Sequence, residues 1–304
     1  MTVLLTGASG YIGSRFAQAV IDQGRRVVAV SRPGRTQATR ARVGRPIDVI
    51  EDPGETSDLA RLLGPYDVSA TVHLAARFDK PERNPEALIT ANVAFAARVA
   101  EAVNRVAPGS IFVNAATIWQ HYGPDHDAPL SYYAATKSAF EAILAFYAST
   151  GELDTRTLII PDTYGPDDPR TKIVTLLIDA AQGGGPLKAT SGRGVLDLVH
   201  VDDVVAAIEH TIGRSLGTGR WAVTSDRALT VRELADVIAQ VSGREVPVSW
   251  GVLPDRPRQF LEAPSTASRL PGWSPSISLT QGVAQLLDRA DHIDARGEEE
   301  CHRG

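Results

Sequence analysis

The sequence predicts a doubly wound α/β fold with a smaller C-terminal lobe, and three observations predict it. Short, mostly apolar runs (Val3–Leu5, Arg26–Ser31, Thr71–Leu74, Ile111–Asn114 and Thr157–Ile160) alternate with stretches of helical character. A glycine-rich turn joins the first run to the first helix. After Gly165-Pro166 the alternation stops and the loops lengthen. Strands alternating with helices imply a parallel sheet covered on both faces, and strands buried on both faces read as near-continuous apolar runs.

Taken in order, Val3–Leu5 is the first strand and Ile12–Gln23 the first helix, ended by Gly24. Arg26–Ser31 is the second strand, Leu59–Leu63 a short helical piece and Thr71–Leu74 a further strand. Asn92–Ala107 is alanine-rich and helical, closed by Pro108-Gly109. Ile111–Asn114 is a strand, Tyr132–Ser149 a long helix, and Thr157–Ile160 a strand stopped by Pro161. Beyond it, Gly183-Gly-Gly-Pro186 and Pro254–Pro257 break the chain, with helices expected at Val231–Val241 and Leu279–Asp288. The domain reading is a sheet domain over 1–165, a smaller lobe over 166–290 partly woven back onto the sheet, and a charged tail, 291–304, expected to be disordered.

The 304 residues, 43% hydrophobic, allow one large core or two smaller ones. A formal net charge of -5 argues against nucleic acid as a partner. The single cysteine, Cys301, excludes an intrachain disulfide and a cysteine-rich metal site. No basic leader precedes the first strand and no apolar run has membrane-spanning length, so a cytoplasmic protein with no membrane partner is expected.

Gly7, Gly10 and Gly13 follow a strand and open a helix. Glycine permits the tight turn and close backbone approach to a pyrophosphate, and the helix N-terminus offers free N–H groups. This is a Rossmann-type dinucleotide site, with Ser9, Tyr11 and Ile12 in the same turn. The end of the second strand, Ser31-Arg32-Pro-Gly-Arg35, carries no acidic residue to hold a ribose 2′-hydroxyl. Arg32 and Arg35 are suited to a 2′-phosphate, which makes NADP(H) the preferred cofactor and leaves NAD(H) open.

Tyr133 and Lys137 stand four apart on a predicted helix and so share a face. A free tyrosine titrates near about 10. A nearby ammonium favours the phenolate and tunes the phenol for proton exchange at neutral pH. The neighbouring Tyr132 lacks this partner, because Thr136 stands four positions on. Thr117 lies just past the strand Ile111–Asn114, where ligands bind in open parallel sheets, and its hydroxyl suits a reacting carbonyl. The catalytic set is therefore Thr117, Tyr133 and Lys137. No metal site is expected: His121 and His126, with Asp125 and Asp127, flank a Gly-Pro-Asp loop without metal-ligand spacing. Ser9, Ser131 and Ser138 lack a nucleophile-elbow setting. Trp119 serves either as a sugar or base platform or as lobe packing.

Over nearly its whole length the chain resembles the extended short-chain dehydrogenase/reductases, the NAD-dependent epimerase/dehydratase family. The matching pieces are Thr6–Gly13, His73-Leu-Ala-Ala76, Asn92, Thr117, Tyr133/Lys137, Tyr164-Gly-Pro166, Val199–Val204 and Leu270–Pro275. Thr117–Tyr122, Ala139-Phe-Glu141 and Asp162–Arg170 are similar to the branch acting on nucleotide-linked deoxysugars, with its CDP-abequose and CDP-tyvelose-type synthases. The resemblance implies that Leu74, Ala75, Ala76 and Pro161 line the cofactor, that Lys137 also binds the nicotinamide ribose, and that Asn92 supports the active-site helix. It implies substrate contacts at Arg77, Trp119, Lys172, Arg193 and Arg258, a nucleotide-diphosphate sugar as partner, and a homodimer through Asn92–Ala107 and Tyr132–Ser149. Two departures bear on substrate. Leu196 stands where many relatives have a nucleotide-binding arginine, and Asp162 where asparagine is usual. Sugar dehydratases carry Asp-Glu after the threonine; Ile118-Trp119 here cannot act as acid or base, which disfavours that reaction.

The expected activity is NADPH-dependent reduction of the 4-keto group of a TDP- or CDP-linked 4-keto-6-deoxyhexose. A nucleotide-sugar 4-epimerase with tightly bound NAD is the second reading. A non-catalytic NADPH-binding sensor is the third.

Overall fold

The computed structural model describes residues 1–78, 83–123, 125, 128–225, 227–264 and 267–289. The expected tail, with Cys301, and two residues of the histidine loop, His126 and Asp127, lie outside them.

The chain begins β1 (Thr2–Thr6), α1 (Tyr11–Asp22), β2 (Arg26–Ser31), α2 (Thr36–Val43), β3 (Asp48–Glu51), α3 (Thr56–Leu63) and β4 (Val68–His73). There follow α4 (Pro85–Ile89), a π-helical turn (Thr90–Ala94), α5 (Phe95–Val106), β5 (Ile111–Thr117), a 3-10 turn (Ile118–Gln120), α6 (Tyr132–Thr150) and β6 (Asp154–Ile160). The remainder is β7 (Asp162–Tyr164), α7 (Ile173–Ala181), β8 (Leu187–Lys188), β9 (Val195–His200), α8 (Val201–Gly213), β10 (Gly219–Ala222), β11 (Ala228–Thr230), α9 (Val231–Ser242), β12 (Val248–Ser249) and α10 (279–289).

Seven strands form one sheet in the order β10-β6-β5-β4-β1-β2-β3, and every pairing is parallel. This is the doubly wound, Rossmann-type arrangement that the alternation predicts, with the order reversing between β1 and β4. Ligands bind outside the carboxyl ends of the strands at such a switch point. On one face Leu4, Val28, Leu59, Leu63, Val99, Val103, Phe112, Phe140 and Leu144 form the core. Complete burial of each such side chain stabilises the fold by about 1.5–3 kcal/mol.

The described residues fall into two compact units. Met1–Ile160, Val204–Val223 and 267–273 form the first; Pro161–Asp203, Thr224–Pro264 and 274–289 form the second. In the second, β9 pairs with β7 in parallel and β11 in antiparallel fashion. Leu177, Leu198, Leu229, Leu234, Ile238 and Val283 supply its core.

Several elements depart from the sequence reading. The helix expected at Asn92–Ala107 starts earlier, at Pro85, capped by the Asn84 side chain, and is interrupted by the π turn around Asn92. Helices α7 and α8 appear where only lengthened loops were expected. The expected strand Thr71–Leu74 spans Val68–His73, leaving Leu74 beyond its end.

Candidate active site

The first turn is shaped by backbone contact. Gly7 has φ +76°, and a methyl group there would lie 2.7 Å from the Ala75 nitrogen and the Leu74 carbonyl carbon. A methyl at Gly13 would collide with the Gly7 carbonyl, which already accepts the Gly10 N–H at 2.8 Å. Glycine at 7 is thus required both by its positive φ and by the closeness of the segment after β4. Gly10 caps α1 without a side-chain hydrogen bond, and the first turn of α1 has no acidic residue. Its N–H groups and positive helix end are open to an anion, so the turn fits a dinucleotide pyrophosphate. Ser9 is exposed, Ile12 half-buried and Tyr11 buried within it. Leu74 and Ala75 are half-buried and Ala76 exposed. The Ala75 N–H donates to Thr6 Oγ1 at 3.2 Å, and the Thr6 hydroxyl lies 2.9 Å from His73 Nδ1. Which of the two donates follows the ring's tautomer, and His73 Nε2 is buried without a partner among the described residues. Burial, assisted by Lys137, holds this imidazole well below its usual pKa.

At the end of β2, Arg32 and Arg35 are exposed, and among the described residues neither guanidinium is in an ion pair. Ser31 Oγ donates to the Arg32 carbonyl at 3.2 Å. The sequence reading has this loop free of carboxylates; the structure corrects it, because β3 ends beside β2 and brings Glu51 there. Glu51 Oε1 accepts from the Thr36 hydroxyl at 2.7 Å and the Thr36 N–H at 3.3 Å. The Gly34 N–H and the Thr36 hydroxyl hold its carboxyl below the usual range.

The catalytic candidates meet at β5 and α6. Ser131 caps α6, its side chain accepting from the Ala134 N–H at 3.2 Å. Lys137 is 2% exposed, and among the described residues its ammonium makes no hydrogen bond. Burial lowers its pKa to about 8, opposed by Glu141 one turn further on. Tyr133 is half-buried, with its ring 5.0 Å from Phe78, which lies 5.3 Å from Trp119. Thr117 caps the 3-10 turn: its Oγ1 accepts the Trp119 N–H at 3.3 Å, and its own N–H goes to Gln120 Oε1 at 2.9 Å. The Thr117 hydroxyl proton remains available to a substrate oxygen.

Asn92, 1% exposed on the π turn, ties two segments of this site together. Its amide accepts from the Arg77 N–H at 2.7 Å, donates to the Arg77 carbonyl at 2.9 Å and donates to Thr136 Oγ1 at 2.9 Å. Thr136 in turn donates to the Tyr133 carbonyl at 2.7 Å. The inserted residue of a π turn re-aims a side chain in this way. The Arg77 side chain is exposed. His121, read from sequence as a loop residue, is buried, and its Nε2 accepts from Arg220 at 2.5 Å.

The first unit thus gathers the glycine turn, Leu74–Arg77, Thr117, Trp119, Tyr133 and Lys137. Pro161, Lys172, Arg193 and Arg258 belong to the second. There Pro161 is buried between β6 and β7. Lys172 lies 3.6 Å from Asp162, whose pKa burial raises despite that cation. Arg193 is exposed and lies 3.3 Å from Asp255, which also accepts from Ser191 Oγ and N–H. Arg258 is exposed three residues beyond Asp255. Leu196, the departure from the family pattern, pairs with Leu229 in the sheet of this unit.

Residues 3–219 match the model of the NAD dependent epimerase/dehydratase family. The chain belongs to that family. Among curated members, the UDP-glucose 4-epimerase of Mycolicibacterium smegmatis is 29% identical, covering 95% of this chain and 98% of its own. The CDP-abequose synthase of Salmonella muenchen is 20% identical, covering 94% and 96%. A solved UDP-glucose 4-epimerase from Thermus thermophilus, in complex with NAD, superposes with a TM-score of 0.78 at 23% identity, covering 95% of this chain and 98% of that one. Within the family frame, Phe78, Gln120, Glu51 and Arg220 are the residues the sequence reading missed. Glu51 ends β3, away from the place where the Rossmann pattern puts its acidic residue, and reaches the β2 loop only through strand pairing. Arg220 sits on a four-residue edge strand with no local signal.

Proposed function

We propose that this family member is an NADPH-dependent ketoreductase acting on the 4-keto group of a nucleotide-linked 6-deoxyhexose. The carrying observation is the buried Lys137, 2% exposed, one helical turn from Tyr133 and in the same compact unit as a glycine turn suited to pyrophosphate. A reduced nicotinamide bound there supplies hydride to the carbonyl carbon. Tyr133 donates the proton to the carbonyl oxygen, so the C=O bond becomes a CH–OH. Thr117 donates a hydrogen bond to the same oxygen, where negative charge develops. Lys137 favours the Tyr133 phenolate after transfer and holds the cofactor's ribose.

Arg32 and Arg35 support the NADP(H) preference, because both are exposed and Glu51 is already engaged with the loop backbone. Phe78 and Trp119 beside Tyr133 offer an apolar shelf for a deoxysugar ring. For the substrate's diphosphate, Arg193 and Arg258 are the proposed contacts, and Lys172 is a further proposed substrate contact. The proposed domain roles follow: cofactor over 1–165, nucleotide sugar over 166–290. The proposed cytoplasmic location accords with there being no helix, among the described residues, long and apolar enough to cross a membrane. A homodimer through α5 and α6 is part of the proposal, supported by Phe146 on α6 being 57% exposed. Light scattering on the purified protein tests it.

The deciding experiment is NADPH consumption against a panel of TDP- and CDP-linked 4-keto-6-deoxysugars, with product stereochemistry read by NMR. Consumption with formation of an alcohol supports the reductase. A second reading, 4-epimerisation of a UDP-sugar, is favoured by the identity to the mycobacterial epimerase. It expects tightly held NAD in the purified protein and sugar interconversion without net NADPH use.

A further inference from the structure

Thr117 reaches the helix of Tyr133 and Lys137 through a chain of partly buried polar contacts that the reaction chemistry above does not use. Gln120 is 3% exposed, and its amide is fully committed. Oε1 takes the Thr117 N–H at 2.9 Å; Nε2 donates to Ser138 Oγ at 3.3 Å and to the Glu141 carboxylate. The other Glu141 oxygen takes Arg220 Nε at 2.9 Å, and Arg220 Nη2 donates to His121 Nε2 at 2.5 Å. Arginine only donates, so His121 carries its proton on Nδ1. One carboxylate therefore joins three parts of the first unit: the turn after β5, the helix α6 and the edge strand β10.

We propose that Glu141 is a positioning residue: by bridging Gln120 and Arg220 it sets the Thr117 hydroxyl against the Tyr133–Lys137 helix. As a role in turnover, this rests on the ketoreductase reading. Glu141 lies one turn from Lys137, and of the groups acting on that ammonium it is the one favouring the charged form. Charge-assisted bonds of this kind fix geometry more firmly than neutral ones. In Glu141→Gln, one amide NH2 is forced against either Gln120 Nε2 or the Arg220 guanidinium, since both neighbours donate. The strand end then loses its brace while the helix and the glycine turn keep theirs.

The test compares Glu141→Gln, Arg220→Ala, Arg220→Lys and the double variant Glu141→Gln/Arg220→Ala in the NADP(H)-loaded, full-length protein. Expected for Glu141→Gln is a kcat about 10- to 100-fold lower, the order of a small misplacement at a reacting centre, with cofactor Kd and sugar KM within about threefold. Arg220→Ala behaves alike, the double variant is no worse than either single one, and Arg220→Lys recovers most of the rate. A second readout needs no turnover: the 13C-methyl resonance of Thr117, assigned with Thr117→Ser, is single in wild type and shifts or broadens in Glu141→Gln. An unchanged Thr117 resonance overturns the proposal, as does a Glu141→Gln kcat within twofold of wild type. So does a rate loss that tracks thermal stability and adds in the double variant. A wild-type protein inactive on every sugar tested counts against the ketoreductase reading instead, and the Thr117 resonance then decides the positioning role.

Discussion

The glycine turn after β1 and the candidate catalytic strand end after β5 lie in the same compact unit but are held by different means. The turn is held by the backbone itself: Gly7 and Gly13 leave no room for a single methyl group, and no side chain caps α1. The strand end is held by side chains, through Gln120, Ser138, Glu141 and Arg220. Steric exclusion is local, so residue type and spacing declare it. A side-chain brace draws on residues from distant parts of the chain and is declared only by the fold. Cofactor binding and catalysis should therefore fail separately when each region is altered.

The sharpest separation is Tyr133→Phe. It removes the proton donor and leaves the cradle intact, so kcat falls by about 10²–10⁴-fold while NADP(H) binding, measured by fluorescence titration, stays within twofold. Next comes Lys137. Burial holds its pKa at about 8 against 10.5 for an exposed lysine. Between those values the unfolded chain binds a proton that the folded chain does not. Stability of the cofactor-free protein thus rises with pH across that window, by up to about 3 kcal/mol. Below about pH 8 the cost of the buried charge is fully present. Urea unfolding at about pH 7.5 and 10 checks this, and in Lys137→Met the rise is absent.

Gly7→Ala tests the turn. Overpacking against Ala75 and Leu74 destabilises by about 1–3 kcal/mol and abolishes dinucleotide binding. Gly24→Ala is the control, with φ +75° but nothing within 4 Å of the added methyl. It costs about 1 kcal/mol from conformation alone and leaves binding unchanged. The smallest effect is at the β2 end. Arg35→Ala weakens NADP⁺ by about 10-fold, the scale of one charge-assisted contact, and leaves NAD⁺ within twofold by calorimetry. Equal loss for both cofactors would remove the basis of the NADP(H) preference.

Much of the fold was legible because its strands are buried on both faces and announce themselves as apolar runs. Helix α2 was not: its TQATRARV sequence buries only Thr39 and Val43, leaving no apolar stripe to read. Strand β10 was hidden for a related reason. Gly219-Arg-Trp-Ala222 is an edge strand of four residues, part-exposed, whose identity depends on the β6 partner that receives it. At the candidate site, Tyr133, Lys137 and the glycines could be named because each acts through short-range spacing. Phe78 could not, since only the approach of the segment after β4 to α6 sets it beside Tyr133. Glu51 joined the β2 loop through strand adjacency rather than proximity in sequence.

Arg156 on β6, 4% exposed, donates to the Thr211 and Arg214 carbonyls at the end of α8 and pairs with Asp154 at 2.6 Å. Thr157, the next residue, is the register partner of Arg220. The point at which the returning chain rejoins the sheet is thereby tied to a cation lodged under a helix end. A neutral side chain at 156 would let that junction slip, and the disturbance would surface at Glu141, in a catalytic assembly Arg156 never contacts.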